Sequence, residues 1–321
     1  MGKYMILVCI ACSMLMNRSF AQPDDPAFEP VLRFLETHGA MSGANVATVT
    51  DAITAPFNNN RQKTMAIYAW IGKNFSLDPK LVRSDDNRNI LPEQVMRTRK
   101  STSLGIATLF QEMCSQADIR CLIVDGYHKY NMDQINDPAE EPNYYWNVVQ
   151  LGNTSSEWNY VDVSRACGRL DAKMSKFLPE FSSLFFFPDK TTFNREHYPV
   201  NSAWLMGEAA ATLKEYYNRP IIGPAAYRAH LRGIYPFEGR IKIKPGQPIR
   251  FSYRMNRLSN VQEVTMIKTE GKKVGSAERM AHEINGNELV FDHIFRQEGE
   301  FETSLYINGE WLLSYWIEVS E

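Results

Sequence analysis

A chain of 321 residues is long enough for two domains, and its 44% hydrophobic and 22% charged residues exclude a disordered or fibrous protein. Its 35 Lys and Arg stand against 37 Asp and Glu, a net charge of -2, so it offers no broad basic surface for nucleic acid or an anionic membrane.

In chain order the first signal is a targeting segment. Lys3 gives a positive start, residues 5–16 form an apolar core, and Ser19-Phe20-Ala21 fits a cleavage site. This predicts that residues 1–21 are a signal peptide cleaved after Ala21 and that the product is secreted or periplasmic. The apolar stretch is too short to cross a bilayer comfortably, so no membrane span is expected after its removal. Lipid attachment at Cys12 is a minor alternative, because Cys9-Ile10-Ala11 makes a poor attachment box. The mature chain keeps Cys114, Cys121 and Cys167, an odd count that makes no disulfide framework. Cys114 and Cys121 fall on apolar faces and read as small buried hydrophobes. No metal-ligand spacing such as Cys-x-x-Cys or His-Glu-x-x-His occurs in the mature chain, and neither a metal nor a cofactor is expected.

Short helical patterns run to about Thr54, followed by a stronger one over 60–75 with Ala66, Ile67, Trp70 and Ile71 on one side. Residues 83–89 read as a loop and 91–96 as a short helix. Lys100-Ser101-Thr102-Ser103 then opens a helix that carries Ile106, Leu109, Phe110, Met113, Cys114 and Ala117 at spacings of three and four. The period changes at 119–124, an apolar, β-branched strand ended by Asp125-Gly126. After a polar loop over 131–143, residues 144–151 and 158–163 read as strands around a turn at 152–157, giving an antiparallel sheet packed on the helix. From about Ile234 the pattern is all-β, with strands at 239–244, 248–255, 261–269, 288–294, 300–307 and 310–319. Asn308-Gly309 joins the last pair. The fold class is α+β: a mixed domain over 22–233, then a small immunoglobulin-like β-sandwich over 234–321.

Three elements stand in a telling order: Ser103-Leu104-Gly105-Ile106-Ala107 at the helix start, Tyr144-Tyr145-Trp146-Asn147 on one strand, and Tyr160-Val161-Asp162-Val163-Ser164 on the next. With Lys63 to Ile71 before them and Phe185 through His197-Tyr198-Pro199 after, the set resembles the transglutaminase-like superfamily of papain-related fold, in its kyphoscoliosis-peptidase-like branch. The resemblance covers about 63–220. It implies that Ser103 stands where the family has a catalytic cysteine, Tyr144 where it has a histidine, and Asp162 at the aspartate.

The chemistry explains why those departures matter. A thiol at a helix N-terminus ionises readily, whereas a hydroxyl there gains only about 0.3–1 kcal/mol from the helix field and needs an adjacent base. Tyr144 at the base position is protonated near neutral pH, and Asp162 is expected to have no imidazole to orient. Ser103 therefore reads as a helix N-cap, Tyr144 as a pocket-lining aromatic that can hydrogen bond to Asp162, and Asp162 as a buried acceptor. Trp146 and Asn147 read as packing and strand-edge residues. His128 can approach the cleft, and His197 reads as a surface or packing residue. The expected function is a catalytically inactive module whose cleft, with Ser103, Tyr144, Trp146, Asp162 and His128 as candidate ligand-binding residues, holds a peptide, protein or cell-envelope polysaccharide. Two other readings stay open: a hydrolase or acyltransferase using Ser103 with a relocated base, and a structural envelope or adhesion module.

Overall fold

The structure, a computed structural model, describes residues 25–321 except 85, 153–157, 172 and 259–260. The expected signal peptide with Cys9 and Cys12, and most of the expected turn at 152–157, lie outside the described residues.

Helices α1 (Phe28–Glu36), α2 (Val46–Thr54) and α3 (Asn60–Asn74) open the chain. The side chains of Asn45 and Asn59 accept the N–H groups of Thr48 and Gln62, which relieves the unpaired donors of the first turns of α2 and α3. The sequence pattern gives α3 one apolar side, but every residue from Thr64 to Gly72 is buried. Long-range packing encloses it all round. Strand β1 (Ser76–Leu77), α4 (Pro79–Arg83), α5 (Pro92–Thr98) and β2 (Lys100–Ser101) follow, and β1 pairs in parallel with β2. That pairing sets the entry into α6 (Ser103–Gln116), whose N-cap is Thr102 rather than Ser103. Gly105 fits this entry because a Cβ there would meet Ser101 Oγ at 1.9 Å and Asn89 O at 2.8 Å.

The chain then lays down β3 (Arg120–His128), β4 (Tyr144–Gln150), β5 (Trp158–Val161), α7 (Val163–Cys167), the hairpin β6 (Gly168–Leu170) and β7 (Phe177–Pro179), α8 (Lys190–Glu196) and β8 (His197–Pro199). Four of these make an antiparallel sheet in the order β5-β4-β3-β8. Neighbouring residues point to opposite faces. Val149 joins a core with α3 and α6, whereas Val148 and Trp146 join a second core that continues into the C-terminal half. The sheet is thus sandwiched between helices and a β-module.

After α9 (Leu213–Asn218), β9 (Ile221–Ile222) and α10 (Pro224–Ala229), the chain is all β: β10 (Leu231–Tyr235), β11 (Arg240–Ile243), β12 (Pro248–Met255), β13 (Val264–Glu270), β14 (Lys273–Val274), β15 (Glu278–Arg279), β16 (Glu283–Asn285), β17 (Glu288–Ile294), β18 (Gly299–Ile307) and β19 (Glu310–Val319). One sheet runs β10-β12-β17-β16, the other β11-β19-β18-β13-β14, and they share an apolar core around Phe251, Tyr253, Leu305 and Tyr315. Asn308 and Gly309 both take positive φ, 51° and 80°, as a two-residue hairpin requires. The two halves interlock. β9 pairs with β19, and Trp316 Nε1 donates to Met132 O at 2.9 Å.

Candidate functional site

Ser103 is the first residue of α6 and is 3% exposed. Its Oγ accepts the main-chain N–H of Tyr145 at 3.2 Å, which ties the helix start to β4 and corrects the N-cap reading. One residue earlier on the strand, the Tyr144 hydroxyl reaches Asp162 and donates to its carboxylate at 2.9 and 3.2 Å, the contact the sequence suggested. Asp162 is fully buried at the start of α7 and also accepts Arg165 N–H at 3.0 Å.

The expectation that Asp162 lacks an imidazole is overturned. His197 Nε2 lies 2.9 Å from Asp162 Oδ2, and its Nδ1 lies 3.3 Å from the carbonyl of Phe193. The ring is wholly buried and stacks on Phe193 at 3.8 Å, so His197 is a member of this network rather than a surface residue. Trp146 packs edge-on to it at 5.2 Å. Asn147 Nδ2 donates to Ala107 O at 3.1 Å, joining strand to helix. His128 pairs with His197 across β3 and β8, and its ring lies 4.7 Å from that of Tyr144. Both imidazoles thus reach the network, one bonded to Asp162 and the other beside Tyr144. Their pairing joins two strands far apart in the chain, and only the His-Tyr-Pro segment hinted at it.

The electrostatics are those of an enclosed polar cluster. Burial, then the charge of Asp162, pushes the Tyr144 hydroxyl well above its usual range, so it does not serve as a base near neutral pH. Burial, opposed by Glu196 and reinforced by His197, takes His128 down to about 4. Glu196 is held below the usual carboxylate range although burial works the other way, because Arg165 sits 3.1 Å from its Oε1. Tyr227 donates to the other oxygen at 2.5 Å. Lys129 Nζ donates to Tyr216 O and Arg219 O around the end of α9, and burial, then Arg219, lowers it to about 7. Cys114, Cys121 and Cys167 are free and buried, and burial, then Asp162, pushes Cys167 up.

For acyl transfer a serine must donate its proton to a base. Among the described residues no imidazole or carboxylate lies within hydrogen-bond reach of Ser103 Oγ, and the one imidazole on Asp162 has both nitrogens engaged. What opens beside this network is a cavity of about 490 Å³ lined by Tyr144, His128, Arg165 and Glu196 on one side and by Trp311 and Trp316 of β19 on the other. Ser103 is not on that lining. Among the described residues no cluster of three or more His, Cys, Asp or Glu is placed to hold a metal, and no helix is long and apolar enough to cross a membrane.

The comparisons with known proteins agree with this geometry. A family model described as the transglutaminase-like superfamily matches residues 47–163, which include Ser103, Tyr144 and Asp162 and stop short of His197. Kyphoscoliosis peptidase of Mus musculus is 25% identical over 191 residues, 59% of this chain and 28% of that protein. The Homo sapiens protein of the same name is 25% identical over 187 residues, 58% and 28%. Hillarin of Drosophila melanogaster is 24% identical over 180 residues, 52% and 21%. The chain thus spans less than a third of the length of these curated relatives. It carries a domain of the transglutaminase-like superfamily, in the kyphoscoliosis-peptidase-like branch.

Proposed function

We propose that this chain is a secreted or periplasmic binding module in which a transglutaminase-like domain has exchanged catalysis for structure, and that its cleft holds a peptide or cell-envelope polysaccharide. One observation carries the reading: Ser103 Oγ is engaged by the N–H of Tyr145, with no base beside it among the described residues. The Tyr144 hydroxyl and His197 Nε2 are both spent on the Asp162 carboxylate, which also takes the main-chain N–H of Arg165, and His197 Nδ1 is turned to the Phe193 carbonyl. The signal-like residues 1–21 support export. The two-sheet C-terminal module, with β11 running parallel to β19, supports an immunoglobulin-like assignment for that half. The open cavity favours binding over a purely structural module, for which an aromatic-filled cleft is the better fit.

Ser103→Cys with Tyr144→His restores the family's residue types at both positions and tests whether their loss is what silenced the site. Peptide hydrolysis and amide exchange are expected from the double variant and not from the parent. Turnover by the parent at the level of the double variant would contradict the proposal.

A further inference from the structure

Arg165 sits where two cavities meet. Its guanidinium has five donors, yet its one ion pair among the described residues is with Glu196. Its Nε–H is enclosed without an acceptor. The 14% of the side chain that remains exposed lines both the 490 Å³ cavity beside Tyr144 and an adjoining one of about 530 Å³. Arg169 lines both as well, and Lys173 stands at the rim of the first. Arg169 and Lys173 are exposed and make no ion pair among the described residues. The same lining carries two carboxylates without a cationic partner, Asp133 and Glu302. Burial, then the charge of Asp133, raises Glu302 above the usual carboxylate range. Trp311 is shared by both cavities, and Trp316 stands beside the acids in the first.

The two linings therefore hold Arg165 with an unsatisfied N–H, the cations Arg169 and Lys173 and the acids Asp133 and Glu302 without ion-pair partners among the described residues, and two indoles. A ligand of one charge satisfies only part of them. A polyuronate has carboxylates for Arg165 and Arg169 but nothing for Asp133 and Glu302, whereas a polypeptide can present both signs on one chain and lay its apolar stems on indole.

We infer that the joined cavities bind an extended polypeptide segment bearing an acidic and a basic side chain, the acid taken by Arg165 and Arg169 and the base by Asp133 and Glu302. This rests on the binding-module reading and gives it a ligand class.

Calorimetric titration of the purified chain tests the inference. The probes are capped hexapeptides with one Glu and one Lys separated by two alanines, the same peptide with either or both residues changed to Gln, and oligogalacturonate. The mixed peptide is expected to bind about tenfold more tightly than either singly charged one. Glu302→Gln should erase the preference for Lys, and Arg169→Gln should weaken that for Glu. Both residues are at least partly exposed, so the variants should keep the parent's circular dichroism. Arg165 is left intact because its pairing with Glu196 supports the fold. Equal binding of the neutral peptide, tighter binding of oligogalacturonate, or unaltered preferences in both variants would overturn the inference. Mass spectra of the recovered peptides separate the two claims: a cleaved but charge-selected peptide removes the non-catalytic reading alone, and an intact, unselected one removes this inference alone.

Discussion

Three groups converge on the buried carboxylate of Asp162: the Tyr144 hydroxyl, Arg165 N–H and His197 Nε2. Removing one donor from a buried acceptor costs about 1–2 kcal/mol. Tyr144→Phe should therefore lower unfolding free energy in urea by about that amount, and an unchanged midpoint would show that the network contributes nothing to stability. His128 adds a pH dependence whose sign is fixed. Unfolded, its ring titrates near 6.5; folded, burial holds it to about 4. Between those values the unfolded chain binds a proton that the folded chain does not. Stability present above about pH 6.5 is lost as pH falls towards about 4. Denaturation midpoints followed across this window should fall less steeply in His128→Gln than in the parent, and an unaltered slope would assign the loss to other groups. At this scale the sequence was informative where residues lie in local motifs: Ser103, Tyr144 and Asp162 were legible in order. His197 was not, because its contact with Asp162 spans 35 residues of chain and follows from the pairing of β8 with β3.

Among the elements, the central sheet depends on a close approach at Gly126. A Cβ there would meet the Trp146 ring at 2.4 Å and Tyr198 O at 2.5 Å, so β8 and the indole close over β3 only if this position has no side chain. Gly126→Ala is expected to destabilise the fold by about 1–3 kcal/mol through overpacking, measured as a fall in thermal midpoint. It should also displace His197 from Asp162, visible as a changed imidazole environment by NMR. A variant with the parent's midpoint and spectrum would refute this close fit. Elements with strong local signatures are legible in the sequence: α6 from its apolar spacing, and the β18–β19 hairpin from Asn308-Gly309. The full burial of α3 is not, since only the packing of α1, α2 and α7 around it reveals which faces are covered. The short strands β14, β15 and β16 carry no sequence signal, being two or three exposed residues each and without periodicity.

Over the whole molecule, the β-module forms one wall of the cleft. The hydrogen bond from Trp316 Nε1 to Met132 O and the pairing of β9 with β19 hold that wall against the transglutaminase-like domain. Trp316→Phe keeps most of the ring's packing and removes the donor. It should increase hydrogen exchange in residues 130–135 while leaving α6 protected, and uniform exchange across both halves would mean that the contact does not set the cleft. The β-rich character of the C-terminal half was legible in its turns and alternation, but its seat on the cleft was not, because that arises from side chains distant in the chain. Under the proposed function, Ser103 serves as a hydrogen-bond acceptor for Tyr145 N–H and not as a nucleophile. Mass spectrometry of peptide cleavage and transamidation, with the parent and Ser103→Ala side by side, decides between the two roles. Both should stay at the background rate; turnover by the parent that Ser103→Ala abolishes would make Ser103 a nucleophile.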